Sequence, residues 1–478
     1  MPVNIDCQPP NAVSGYMIMY QKIVAAVIVL LMTTGCASQL SLSYDRPLQL
    51  QGLQSKTLKD VTVSVAILTD DAAQEHFGFD FGAAGLSAVW LSIRNESALK
   101  LWFMRNALDP DIFSPDEVTL MLDGHYSAEQ QEAIRQFLRN KSVRVLMEPG
   151  MITEGFVYLP KVLGGRYIDI RLAPDAFAVE MARRRGDTQS LPHEYLDLRF
   201  GFSVPLPDGI FDYERLDPGH TYAGRSLPSL SEAEFRQRLE SLPCCAFNQD
   251  GSREGDPLNL VIVGESDDVL NSLSRAGWSF THRITPESIQ KLVSAAASGG
   301  SYPVAPVSGL YAFERKQDFA LQRSRRNIVQ RNHLRLWLAP FLYDGQQVWV
   351  GQISRDIGIK LTPESPTLTT HIIDPEVDLT REYFLHSLLA EGLVRRFGFV
   401  SGSRRANPDA PAVNLTDDPY FSDGLRLVVE LSTDPVAYRD VRNFLWEQSS
   451  PPLAEGQSEA ARRNVRPIGT APKGQDAP

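Results

Sequence analysis

Cysteine is scarce in this 478-residue chain: four residues, Cys7, Cys36, Cys244 and Cys245. The first two fall in an amino-terminal targeting stretch, so the body of the chain keeps one adjacent pair and has no disulfide framework. A bridge between neighbours is geometrically strained, and two buried thiols are the expected state of Cys244 and Cys245. CxxC and HExxH are both absent, as are GxGxxG, GK[ST] and GxSxG, so no motif supports a metal, a cofactor or a nucleophile elbow. Positive charge is short as well. A net charge of -11 excludes general nucleic-acid binding, which needs a basic surface to displace phosphate counterions. Long apolar runs are also lacking: Ile23 to Met32 is ten residues, against roughly 20 for a membrane span.

That short run is informative in itself. Lys22 precedes it and Thr33-Thr34-Gly35-Cys36-Ala37-Ser38 follows, the order of a secretory signal with small residues at the cut. Gly35-Cys36 resembles the bacterial lipobox junction, with Thr33 where leucine is usual. The expectation is a signal peptide over 1–35, lipidation of Cys36 and a linker over 36–59. The polar stretch with Asp6, Pro9 and Pro10 is unlike a signal start, so translation is expected from Met17 or Met19. Ala37 and Ser38, with no aspartate after the cysteine, favour the outer membrane, the protein facing the periplasm on its lipid anchor.

Composition leaves room for two cores. Val61 to Ile67 and Ala88 to Arg94 alternate with period two, Ser114-Pro115 and Ser127 to Leu138 open helices, and strands resume at Glu154, Tyr167 and Tyr195. The fold class expected is multidomain α+β: a β-sandwich with a helical insert over 60–207, then, after a connector over 208–230, an α/β domain with a mixed sheet over 231–435. In that domain helices are expected at Ser231 to Leu242, Asp267 to Ala276 and about Pro375 to Arg396, and strands at Leu258 to Gly264, His333 to Leu338, Val348 to Ile353, Leu368 to Ile373 and Leu425 to Leu431. Residues 446–478 read as a disordered tail.

The sharpest chemical pattern is His333-Leu334-Arg335-Leu336-Trp337-Leu338. Alternation puts His333, Arg335 and Trp337 on one face, where arginine can fork onto an anion and histidine can titrate, while the leucines enter a core. The plainer reading, a solvated strand face with Trp337 under a loop, is the favoured one. Arg315, Lys316, Arg323, Arg325, Arg326 and Arg331 cluster just upstream and could meet lipid phosphates or anionic glycans, or simply be solvated. His371 and Asp374 end a strand as candidate base and orienter, or as contributors to a metal site, although Asp374 before Pro375 suits a helix cap better. Arg355-Asp356 is a further charged pair at a strand end, and Asp378 with Arg381 reads as an ion pair or part of the same pocket. Gly264-Glu265-Ser266 is a strand-to-helix turn in which Ser266 is the expected cap.

Leu242-Pro243-Cys244-Cys245, the run from Gly255 to Gly264, Ala276-Gly277-Trp278, His333 to Trp337 and Val348-Trp349-Val350-Gly351 together resemble the LssY C-terminal domain family, over roughly Leu227 to Leu431. In some relatives this domain follows a membrane-embedded phosphatidic-acid-phosphatase-like region, and nothing in this chain resembles that enzyme. The resemblance implies an association with membrane or envelope, without a mechanism. Two functions remain: a lipoprotein that binds an anionic envelope lipid, glycan or partner through its β-sandwich and its basic residues (Arg323, Arg325, Arg326, Arg355, with Trp337), which is preferred and has a transporter or secretion accessory subunit as a special case, or a phosphatase-like hydrolase with His333 and His371 as acid and base, Arg335 with Arg355 stabilising the anion and Asp374 as orienter. The second requires His333, Arg335 and His371 to converge.

Overall fold

The computed structural model describes residues 42–108, 112–122, 126–175, 177, 180–181, 184–185, 198–206, 211–298, 302–324, 330–361, 369–432 and 436–447. Cys36 with its signal, Arg325, Arg326 and nearly all of the expected tail lie outside the described residues. Mixed α+β structure was expected and is found. The chain divides into two compact units, Met1–Lys161 with Ala173–Leu196, and Val162–Leu172 with Asp197–Pro478. Among the described residues, no helix is long and apolar enough to cross a membrane.

In the first unit β1 (Gln54–Leu58) and β2 (Val61–Ile67) are followed by α1 (Asp70–Phe77), β3 (Leu86–Asn95), α2 (Pro115–Met121), α3 (Ala128–Lys141) and β4 (Met151–Pro160). The four strands form an antiparallel sheet in the order β1-β2-β3-β4. Both expected helix starts are capping boxes, Ser114 with Glu117 and Ser127 with Gln130; each satisfies two otherwise orphaned backbone N–H groups. Phe77, Val118, Ile134, Phe137 and Leu138 from the helices pack with Leu86, Ala88, Phe156 and Tyr158 of the sheet, so a helical layer covers one sheet face. Val61, Val63, Val65, Leu91 and Ile93 are also fully buried. The unit also holds a second, short antiparallel strand pair, Leu101–Phe103 with Leu146–Met147, outside that four-stranded sheet.

The second unit starts with the paired strands β5 (Gly164–Pro174) and β6 (Leu198–Leu206), then α4 (Glu232–Glu240), β7 (Cys245–Phe247), β8 (Glu254–Pro257), β9 (Leu260–Val263) and α5 (Ser266–Arg275). Next come β10 (Phe319–Ser324), β11 (Arg331–Tyr343), β12 (Gln346–Leu361), β13 (Thr369–Ile373), α6 (Val377–Ala390), β14 (Val394–Ala406) and β15 (Ser422–Leu431). Its backbone is a mixed sheet with the order β10-β11-β12-β9-β15-β14; β9 and β15 run parallel, the remaining neighbours in that path antiparallel. Both faces are covered. Leu334, Leu336, Leu338, Trp349 and Val429 pack with Val269, Leu273, Phe384 and Leu388 of α5 and α6, while Trp337, Phe341, Val350 and Val428 pack with Phe235 and Leu239 of α4.

Two helix boundaries and one covalent bond differ from expectation. The helix expected to run to Arg396 stops at Ala390, because Gly392 takes a left-handed φ of +68°. Gly392 N donates to Leu389 O (3.0 Å) and Leu393 N to Leu388 O (3.2 Å), a Schellman ending in which Leu393 is the apolar residue after the glycine, not part of the helical stripe. Ser266 is the first helical residue; Glu265 is the cap, and Ser266 N donates to Gln347 Oε1 (2.9 Å). Finally, Cys244 and Cys245 are joined by a disulfide instead of standing as two thiols. Cys244 lies outside β7, so the alternation that sends successive strand side chains apart does not separate the pair.

Candidate functional site

β11 is buried without a break from Arg331 to Ala339, which overturns the solvated-face reading of His333 to Leu338. Expected alternation is present: the leucines fill one core, Trp337 and Ala339 the other. Along that second face the character changes. Val348 and Val350 on β12 give way to Gln352, Ser354 and Asp356; on β11 Trp337 gives way to Arg335, His333 and Arg331; Gln322 on β10 lies opposite His333. All seven of these polar residues are buried. Burying polar groups is costly unless each finds a partner, so the partners define the site.

They converge on one oxygen. His333 Nε2 lies 2.5 Å from Asp356 Oδ2, His371 Nδ1 3.3 Å from it and Arg331 Nε 3.6 Å from it. Arg331 Nη2 and His371 Nε2 are 2.9 Å apart. An arginine can only donate, so His371 accepts at Nε2 and carries its proton on Nδ1, toward Asp356. Arg331 Nη1 donates to Gln322 Oε1 (2.8 Å). Against the ionised carboxylate, the hydrogen between His333 and Asp356 belongs to His333 Nε2, which leaves the lone pair on Nδ1. That atom is buried and has no hydrogen-bond partner among the described residues.

Electrostatics keep both rings neutral. Burial drives His333 well below the usual imidazole range, helped by the charges of Arg331 and Arg335. Burial also pushes His371 down to about 4, against the opposing pull of Asp356. Burial raises the Asp356 carboxyl, while His371, Arg331 and Arg335 draw it back. Desolvation and neighbouring charge therefore act in opposition at each group.

The remaining sequence candidates sort by partner. Arg335 lies beside the cluster but is engaged: Nη1 donates to Gln352 Oε1 (2.7 Å), Nε to Ser308 O (3.2 Å) and Nη2 to Ser308 Oγ (3.2 Å). Trp337 donates from Nε1 to Arg315 O (3.2 Å) and belongs to the apolar end of the face, away from any anion-binding role. Arg323 donates to Ala276 O at the end of α5 (2.6 Å) and stacks over Tyr383, and Arg315 pairs with Asp318. Among the described residues of the basic stretch, Arg315, Arg323 and Arg331 thus each hold a separate internal partner. Arg355 donates to Asn332 Oδ1 (3.1 Å) and lies 3.8 Å from Asp374 Oδ2. Asp374 does not join the cluster. It is not the cap of α6 either, since that position is Glu376, whose N–H donates to Asp374 Oδ1 (3.1 Å). Asp378 and Arg381 do form an ion pair (3.3 Å), in which Arg381 forks onto Asp423.

Asp356, Arg331 and Gln322 complete the site and were not among the preferred candidates. Charge at positions 331 and 356 was the available signal; their meeting depends on strand register and on the irregularity between Asp356 and Gly358 where β13 pairs with β12.

A mixed-sheet α+β domain carrying this buried polar face is the class of protein that the geometry defines. Residues 237–425 match the family model described as LssY C-terminus, and this part of the chain is an LssY C-terminal domain. No match to a curated protein was found.

Proposed function

We propose that the chain is a lipid-tethered protein of the bacterial envelope, probing its surroundings with the LssY C-terminal domain, which binds the headgroup of an anionic lipid or glycan at the Asp356 cluster. The N-terminal region, read as a β-sandwich, is its second module. The observation that carries the binding reading is His333: fixed through Nε2 by Asp356, it keeps a buried, unpartnered acceptor, Nδ1. A ligand O–H, from a sugar or a singly protonated phosphate, would satisfy it. Arg315, Arg323, Arg331 and Arg335 contribute less than their charge suggested, because they already hold internal partners.

The same geometry favours a second reading, hydrolysis of a phosphorylated lipid or glycan. Two neutral histidines share one carboxylate oxygen, an arrangement in which the free Nδ1 of His333 can take a proton from an attacking water and, as imidazolium, return it to the leaving group.

Calorimetry with short-chain phosphatidic acid, on the chain carrying Cys36→Ala, separates the two. The binding reading expects one saturable site, weakened at least about tenfold, or ~1.4 kcal/mol, in His333→Gln measured well below the variant's own melting temperature, where it is fully folded. Equal affinity in parent and variant would sink it. Release of inorganic phosphate by the parent and not by His333→Gln would replace binding with hydrolysis as the function.

A further inference from the structure

A disulfide stabilises a fold chiefly through the loop it closes in the unfolded chain. The bond between Cys244 and Cys245 closes no loop of that kind, so its use must be sought in its chemistry. Cys245 is buried at the start of β7, while Cys244 is half-buried beside it. Glu254, the first residue of β8, brings a carboxylate to the same place: one oxygen and both sulfurs lie within 4.8 Å of one another. Arg404 Nη2 lies 3.4 Å from Cys244 Sγ and pairs with Glu254, and both of these charged side chains are exposed. On the inner side Tyr420 Oη is 3.9 Å from Cys245 Sγ. One side of the group is therefore walled by the fold and the other opens to solvent.

We propose that Cys244, Cys245 and Glu254 form a redox-gated site for a single thiophilic cation such as Zn²⁺ or Cd²⁺, shut while the sulfurs are bonded to each other and open as a dithiol. A dithiol reductant opens it by closing on itself to a disulfide, its two electrons breaking the Cys244–Cys245 bond and its two protons passing to the two sulfurs. The cation then displaces both protons and takes two thiolates and the Glu254 carboxylate, with water as the fourth ligand of a tetrahedral set. Arg404 swings away from Glu254, which is easy for an exposed pair that contributes little. This site is independent of the reading given to His333 and Asp356.

The test uses the full chain, reduced with a phosphine, which takes its oxygen from water and adds no competing thiol, and titrated with Cd²⁺ while sulfur-to-cadmium charge-transfer absorption is followed. Cys7 and Cys36 also carry sulfur, so the reading is the difference from Cys245→Ser. One equivalent of Cd²⁺ is expected in the reduced parent beyond that variant, none in the unreduced parent, and displacement by Zn²⁺. Glu254→Gln, which keeps both sulfurs and disturbs only the surface, is expected to weaken binding at least about tenfold, since even groups behind the ligands carry effects of that size. Equal uptake by parent and Cys245→Ser overturns the proposal. So does uptake by the unreduced chain, or an affinity unmoved by Glu254→Gln.

Discussion

Two groups of buried charge lie in one sheet, on β15 and on β11 to β13, and they are finished differently. Arg426 on β15 is fully buried, and carbonyl oxygens alone receive its donors. Nε reaches Leu258 O (2.8 Å), Nη2 reaches Gly402 O (2.7 Å) and Pro243 O (2.5 Å), and Nη1 reaches Leu239 O. Leu239 and the residues after it end α4, whose carbonyl end attracts a cation. Gly402 adopts φ +124° and has no space for a Cβ next to the guanidinium. Burial lowers Arg426 to about 10, which leaves it charged at neutral pH. At β11 to β13, by contrast, the carboxylate of Asp356 is shared three ways and His333 Nδ1 is left over. A buried charge is therefore a poor guide to function. Unused hydrogen-bonding capacity discriminates better, because a group whose every valence is met has nothing to offer a ligand.

Breaking the finished group should have the larger structural effect. Arg426→Met leaves four or more backbone acceptors without a donor inside the protein, and a loss of about 3–5 kcal/mol of unfolding free energy is expected from denaturant titration. Ligand affinity in the fraction that stays folded should be unchanged. If the variant unfolds like the parent, the cage is not what holds α4 to β15.

Asp356→Asn comes next. The amide keeps the volume and one acceptor but removes the charge that faces Arg331, His333 and His371, for an expected loss of about 1–3 kcal/mol. Its signature is chemical: freed from the carboxylate, His333 can take the other tautomer, and its ¹⁵N resonances should change from Nε2-protonated to a mixture. An unchanged tautomer would show that Asp356 does not hold His333.

The strand pattern was legible because it is local. Period-two alternation placed Leu334, Leu336 and Leu338 in one core and His333 with Arg335 on the opposite face, as found. What the pattern could not convey was depth, since a row of His, Arg and Trp reads equally as a wet face until α4, β10 and the 302–318 segment are known to cover it. Nor could spacing join His333 to Asp356 and His371, which lie 23 and 38 positions downstream and meet through antiparallel register and one irregularity. Asp374 was misjudged for a related reason. The cue Asp-Pro signals a helix start, but α6 begins two residues later than a cap at Asp374 would require. β14 was hidden by Leu393, which continues the leucine stripe past the glycine that ends the helix.

The smallest effect expected at neutral pH is also the most specific one, because its pH dependence rests on proton uptake at a single ring. His371 has a folded pKa of about 4, below the value of roughly 6.5 for an imidazole in the unfolded chain. Above pH 6.5 the ring is neutral in both states and costs nothing. Between 6.5 and 4 the unfolded chain binds a proton that the folded one refuses, so stability falls as the pH drops, by at most ~1.4 kcal/mol per pH unit. Below 4 both states are protonated and the loss is complete. His371→Gln removes this slope while giving up the hydrogen bond from Arg331 and the approach of Nδ1 to Asp356, about 0.5–1.5 kcal/mol. The parent should therefore be the more stable chain at pH 7, and its advantage should shrink and then reverse as the pH approaches 4. Burial depresses His76 in the first unit and His333 in the second as well, but both are present in the two chains, so the difference between the denaturation curves reports His371 together with its pull on Asp356. Parallel curves over that window would mean that the ring is not held neutral against Arg331 and Asp356, and the contrast between the finished and unfinished groups would lose its best-defined member.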